Sequence, residues 1–531
     1  YRGLGFMKKY FLSIVFIMSL SVWVLYLVFY SGCGPNNLGL APIIGGAGTT
    51  NSQLPVFSVG TYKMNTLSSS VKPEVSFGYF NYTTKPFAFI NLNPTNNVLI
   101  PINSSVNFNN QGNKVLVLGT AFAGGDTNAT SERDIFWVGK ILDPNNQSNW
   151  VNTVTVGGKN YIVVKGTNFI ARYSYQLNAF DSTFDSMVVK KTDNISNYGL
   201  IDFQDINQDF KSIAFLRYSS NANFYGVLVG KNVAFSCDSA VSSGNDFKNL
   251  YGISGAPTTS DYVWEDSIPF DRGAGVVIGH LIDENPTSGK IRTFNEATNW
   301  SSDIGISGFD RPFYSSDYIT FFNDNSLFKV ASIVGNNMIV NYVNTPPNQN
   351  QFDINKIEAV NISSVSTNVV FYGVTVLRSP GDTDSNYNVS FIAVGYDFNA
   401  NFPIILKFTR TGNRDNNPAP PFNSNYNLNR IDLSALGLNQ DVVFLDVNNV
   451  LISNTNYVYV VGLDLSNCLI KPYPNGTLPP LTKSLIFPAS APFTTTNNDV
   501  INTLNNMRGI LLYSNDGGNT FRLIGAPFIT P

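Results

Sequence analysis

Leu511-Leu-Tyr-Ser514-Asn-Asp516-Gly-Gly518-Asn-Thr520-Phe521 reads as an apolar strand running into a tight turn. The Asp side chain can accept backbone N–H groups of its own turn, the glycines supply positive φ, and the closing Phe returns the chain to apolar surroundings. A hairpin of this kind cannot stand alone in water. The remaining chain must supply the layers it packs against.

Outward from that turn, the apolar residues come in runs of about four to seven, rich in Val, Ile, Phe and Tyr and separated by Asn, Asp, Gly, Pro and Ser. This is the punctuation of an all-β chain, and no long helical period follows the leader. One strand ending in Gly recurs at Val115–Gly119, Tyr161–Gly166, Gly226–Gly230, Gly275–Gly279, Val330–Gly335, Phe391–Gly395 and Val458–Gly462. The spacing suits four short strands per unit. Two neighbouring units also match in detail. Phe247 precedes Gly252-Ile-Ser-Gly255 as Trp300 precedes Gly305-Ile-Ser-Gly308, and Ser260-Asp-Tyr262 and Ser316-Asp-Tyr318 stand equally far before Gly279 and Gly335.

The pattern Ser514-x-Asp516-x-Gly518-x-Thr520-Phe521 resembles the Asp-box of sialidase-like β-propellers. A looser copy runs from Ser236-Cys-Asp238 through Gly244 to Phe247, and degenerate versions run from Asp143 to Trp150 and from Phe294 to Trp300. The resemblance implies a hairpin between the third and fourth strands of a blade, with the aromatic ring packed between blades. Combined with the repeats it predicts a seven-bladed β-propeller of four-stranded antiparallel blades over residues 71–531. Each blade needs its neighbours to cover both faces, so the ring must be sealed. A strand from Val71–Leu92 is expected to enter the first or last blade.

The leader has its own logic. Met7-Lys-Lys9 and the uncharged stretch Tyr10–Ser31 read as an export signal, with residues 1–6 upstream of the true start. Tyr30-Ser31-Gly32-Cys33 resembles a bacterial lipobox, which would make Cys33 the lipid-attachment residue and 1–33 a signal peptide. A stretch of this length could instead stay as a membrane-spanning anchor. Residues 34–70 are expected to be a flexible tether, being Gly, Thr, Ser and Asn rich from Ile43 to Lys63. Either anchor puts the domain outside the cytoplasm, at the cell surface or in the periplasm.

Charge is scarce. Charged residues make up 13% of the 531 and the net charge is -3, so binding of nucleic acid through bulk basicity is excluded. Besides Cys33 there are Cys237 and Cys468, read as unpaired thiols with one disulfide as the alternative. His280 is the single histidine, which removes most His-based catalysis; it is expected at an ordinary strand end or loop.

Glu265, Asp266 and Asp271 lie on or beside the innermost strand of one predicted blade. They are candidates for an axial glycosidase pair, though solvated turn acids explain them as well. The Asp-box resemblance brings sialidases into view, yet no Phe/Tyr-Arg-Ile-Pro element is present and no spacing joins Arg217, Arg272, Arg292 and Arg311. Asp382, Asp384 and Asn386 alternate as calcium ligands do, but Ala393 stands where a bidentate Glu is needed, so calcium is at most an optional ligand. No other cofactor is expected. The reading favours a membrane-tethered binding or scaffolding module for a protein or polysaccharide partner. A carbohydrate-active hydrolase, or an assembly factor for a membrane complex, is the alternative.

Overall fold

The computed structural model describes residues 56–61, 73–81, 88–93 and 96–101 and, with gaps, 114–180 and 209–523. Cys33, Arg217, Arg272, Asp382, Asp384 and Asn386 lie outside the described residues. So do the leader and the side chains of Asp238, Phe247 and Asp271.

The chain is mostly β. Six antiparallel modules follow one another among the described residues. Module 1 comprises Lys114–Ala123, Asp134–Leu142, Thr167–Ser174 and Ala179–Phe180. Module 2 comprises Asp209–Phe215, Tyr225–Lys231, Val233–Asp238 and Phe247–Asn249. Module 3 has Tyr262–Asp271, Ala274–Leu281 and Gly289–Asn295, and a Phe294–Trp300 bridge stands for its fourth strand. Module 4 is Phe313–Phe321, Phe328–Gly335, Met338–Val343 and Ile357–Val360. Module 5 is Val369–Leu377, Ser390–Asp397, Phe402–Arg410 and Tyr426–Arg430. Module 6 is Val442–Ile452, Thr455–Asp464, Arg508–Ser514 and Arg522–Leu523.

The first strand of each module lies against the first strand of the next, so the sheets radiate from a common axis as β-propeller blades do. Apolar faces are buried between neighbours. Val374, Val376, Phe391 and Phe408 of module 5 pack on Val334 and Ile339 of module 4, while its Ile392 and Ile405 pack on Val442, Phe444 and Leu512 of module 6. Strand Pro73–Asn81 pairs with module 1 through Gly78↔Val117, and its partner Val56–Thr61 lies against the first strand of module 6. Part of the segment expected to be tether is therefore a strand.

All six inner strands carry a bulge at the same place, and a second-strand glycine faces it. The pairs are Val117↔Gly139, Phe210↔Gly230, Trp264↔Gly279, Phe313↔Gly335, Phe371↔Gly395 and Phe444↔Gly462. A bulge turns one inner-strand carbonyl toward its partner strand. A Cβ on Gly279 would lie 1.9 Å from Val263 O, one on Gly335 2.0 Å from Pro312 O, and one on Gly462 2.1 Å from Val443 O. This geometry is the physical reason for the Gly repeat.

It also corrects that repeat. Gly139 is the module 1 member, whereas Gly119 lies on an inner strand and Gly166 follows an inserted strand. The equal spacing of the Ser-Asp-Tyr pairs is a coincidence of turn length. Tyr262 opens its strand opposite Leu281, whereas Tyr318 sits deep in its strand opposite Ala331.

Two insertions between second and third strands form a cap that the sequence pattern did not reveal. Module 1 contributes a 3-10 segment, Pro144–Trp150, and the hairpin of Val151–Val156 with Lys159–Val164. The stretch from Asp143 to Trp150 is thus no third-to-fourth-strand turn. Module 6 contributes residues 465–507, with strand Ile486–Pro488 added to that hairpin through Ile486↔Val163. It also supplies helix Asn497–Asn506, started by a Thr496–Asp499 capping box. Among the described residues, no helix is long and apolar enough to cross a membrane.

The bulge geometry predicts a sharp contrast. Gly395→Ala would set a Cβ 1.8 Å from Val370 O and should destabilise the protein by at least about 3 kcal/mol in urea unfolding. Gly252→Ala, with nothing within 4 Å, should unfold as wild type does.

Candidate functional site

The bulged residues of the six modules, Leu118, Lys211, Glu265, Tyr314, Tyr372 and Leu445, sit at equivalent positions on the inner strands. Four are apolar or aromatic and pack with cap residues Ile162, Leu481, Leu485 and Phe487 in one core. The other two are charged. Lys211 Nζ donates to Ser484 O. His280 Nε2 lies 3.1 Å from Glu265 Oε1 and 3.0 Å from Ser484 Oγ, and its Nδ1 lies 2.6 Å from Leu281 O. The cap is further tied down by Lys483 Nζ, which donates to Tyr372 O at 3.0 Å, and by Tyr372 OH, which donates to Leu481 O at 3.2 Å.

His280 does stand at a strand end, but it is not an ordinary one, being enclosed with Glu265 and Ser484. It is the penultimate residue of strand Ala274–Leu281 and is fully buried. Serine, histidine and glutamate meet here, yet a nucleophilic triad needs the serine and the carboxylate on opposite ring nitrogens. Here both face Nε2. The carbonyl of Leu281 and the Glu265 carboxylate only accept, so a ring that satisfies both carries both protons. Burial pushes the Glu265 carboxyl up, but the hydrogen bond from His280 and the charges of Lys211 and His280 outweigh it and hold the group below its ordinary range. The result is a sealed ionic cluster between ring and cap.

Asp266, the next residue, meets different partners. Its Oδ1 accepts from Ser212 Oγ of module 2 at 2.9 Å and from Ser267 N at 2.8 Å, and its Oδ2 accepts from Ser316 N of module 4 at 2.8 Å. One carboxylate thereby joins three inner strands. The residue keeps some exposed surface, but its carboxyl is surrounded by protein. Burial raises it to about 6, against the opposing charge of Lys483 and these hydrogen bonds. Asp317 repeats the device one module on, with Oδ2 accepting from Thr375 Oγ1 at 2.9 Å and Val376 N at 2.8 Å. Solvated turn acids these are not. Asp271 ends the same inner strand opposite Ala274. Arg292 belongs to a third strand, where its Nε donates to Asp303, so it does not belong to an axial arginine group.

The turn Ser514–Phe521 joins the third and fourth strands of module 6. Asp516 Oδ1 accepts from Asn519 N at 2.9 Å and Thr520 N at 3.0 Å, and Oδ2 accepts from Thr520 Oγ1 at 2.6 Å. Ser514 Oγ donates to Asp516 and accepts from Gly518 N. Gly517 and Gly518 have φ of 72° and 78°. Phe521 is buried between modules 5 and 6, and Lys407 of module 5 donates to Gly517 O at 2.9 Å. Ser236, Asp238 and Phe247 flank the corresponding turn of module 2, whose Cys237 pairs with Phe247. Cys468 is buried outside any disulfide, its Sγ donating to Thr503 O at 3.7 Å, so the disulfide alternative falls. Among the described residues, no group of three or more His, Cys, Asp or Glu could hold a metal.

No family model matches the chain. No curated protein matches it either. Solved structures of similar shape include the NanB sialidase of Streptococcus pneumoniae, at 10% identity and TM-score 0.33, with 66% of each chain covered. An exo-beta-1,3-galactanase from Clostridium thermocellum aligns at 10% identity and TM-score 0.33 over 76% of this chain and 60% of its own. An intramolecular trans-sialidase from Ruminococcus gnavus aligns at 10% identity and TM-score 0.30 over 78% and 90%. This chain thus spans just under two thirds of NanB and less of the galactanase. These are distant likenesses of sheet arrangement.

His280→Ala leaves Glu265 enclosed without the His280 donor and should cost about 3–5 kcal/mol in urea unfolding, while adding Glu265→Gln should recover part of that loss. For Asp266 the folded-state value of about 6 lies above the ordinary 3.8, so its contribution is complete below pH 4 and lost as pH rises through 6. Asp266→Asn should therefore gain about 3 kcal/mol relative to wild type between pH 4 and pH 8, read from parallel unfolding curves.

Proposed function

We propose that this chain is an exported, membrane-tethered β-propeller of the Asp-box type that binds a polysaccharide, with a closed axis and no turnover in its capped form. A seventh module is part of the proposal. It would be formed by Val56–Thr61 and Pro73–Asn81, between modules 6 and 1, with the hairpin of Ala88–Asn93 and Asn96–Pro101 beyond them. The hydrogen bonding of Ser514, Asp516, Gly518 and Thr520 supports the Asp-box assignment. Anchoring through the leader, by a lipid on Cys33 or by a spanning helix, belongs to the same reading.

The observation that carries the binding role is the cap itself. Glu265 is engaged by His280, Lys211 and His280 are both held to Ser484, and the Glu265 and Asp266 carboxyls are enclosed by protein while the cap is seated. The surface left for recognition is the loops around the mouth.

Hydrolysis is the second reading, and one observation favours it. Glu265 is held below its ordinary range while its neighbour Asp266 is raised to about 6, the divergence that an acid and a base in one site require. This reading needs the cap to lift. A panel of polysaccharides with residues 34–531 separates the two. Binding without product supports the module. Product release that disappears in Asp266→Asn supports the hydrolase, and neither binding nor product defeats both.

A further inference from the structure

We infer that the rim of the cap between modules 5 and 6 holds a binding subsite for an uncharged saccharide, built on Phe398 and Tyr473. The inference rests on the polysaccharide reading above and names its place. Phe398 follows the second strand of module 5, and Tyr473 belongs to the module 6 insertion. Both rings are half-buried and flank the fully buried Tyr396, with centroids 5.3 Å and 6.3 Å from it. Tyr396 is fixed by donating to Gln440 O at 2.9 Å. The platform under the two rings is therefore packed and hydrogen-bonded.

Polar groups surround the rings. Tyr473 OH donates to Asp441 Oδ1 at 2.8 Å and accepts from Gln440 Nε2 at 3.2 Å. Lys471 Nζ donates to Asp441 Oδ2 at 3.0 Å and to the carbonyls of Leu465 and Ser466. Its charge is thus matched by Asp441 and its hydrogens are engaged, so the patch offers no unpaired cation to an anionic ligand. The Gln440 amide is exposed.

Partly buried rings beside an exposed amide and a neutralised carboxylate suit a pyranose, whose C–H face lies on an aromatic ring while its hydroxyls find donors and acceptors at the edge. Charge also decides the class. Sialylated or uronic polymers would find no partner for their carboxylates here, since the Lys471 ammonium is already matched by Asp441. Neither the axial carboxylates nor the ionic cluster takes part.

The test is native affinity electrophoresis in gels containing xylan, galactan, mixed-linkage glucan or mannan, with alginate as the charged comparison. At least one neutral polymer should retard the wild type. Phe398→Ala should weaken that retention about tenfold, the loss of one stacking contact. Gln440→Ala, a change at an exposed side chain, should weaken it several-fold and serves if the Phe398 variant does not fold. Retention unchanged in both variants overturns the subsite while leaving the polysaccharide reading intact, and so does retention by alginate alone. Absence of retention by any polymer removes both.

Discussion

The same irregularity, one extra residue near the start of each inner strand, governs how the modules meet. A bulge of this kind bends its strand and increases twist, and it turns a carbonyl into space that only glycine leaves open on the neighbouring strand. Six glycines answer six bulges among the described residues. The bulged side chains then share one level of the ring, four apolar and two charged, and this level is where the cap seats. The residue after each bulge lies where neighbouring inner strands approach. At Gly119 a Cβ would lie 2.6 Å from Ser212 Cα, and at Gly373 2.5 Å from Asp446 Cα; at Asp266 a carboxylate reaches across instead.

Lys211, Glu265 and His280 are costly to bury, and the cap makes their burial tolerable by satisfying them. Ser484 contributes both its carbonyl, to Lys211, and its hydroxyl, to His280. Seating the cap and neutralising the cluster are one event. The axial acids are thereby spent on architecture in the capped protein, and the loops at the rim become the chemically available surface.

Much of the architecture could be read from the chain. Short Val- and Ile-rich runs, the Gly-ended repeat and the Ser514–Phe521 turn all reflect local rules, and the structure follows them. Five of the seven glycines chosen from sequence face bulges. Gly119 and Gly166 misled because a Gly after an apolar run also suits a close inner-strand approach or a hairpin edge, and periodicity cannot separate these. The cap was illegible for a different reason. Its strands are short, its helix has ten residues, and its core forms only when stretches far apart in sequence meet. His280 looked ordinary because its partners, Glu265 and Ser484, become neighbours through topology alone. The Thr496-Asn-Asn-Asp499 capping box was the one local sign of the helix.

The pairing of Ile486 with Val163 has a temporal side. During synthesis the first insertion emerges long before its strand partner exists, so Glu265 and His280 must wait, wet and unsealed, until Ser484 has joined them. Arrival of the module 6 insertion, and not of any single sheet, is what dries the interior. A contact with such sequence separation also makes its formation slow. A truncated product would betray itself through a hydrated ionic core, a natural mark for quality control.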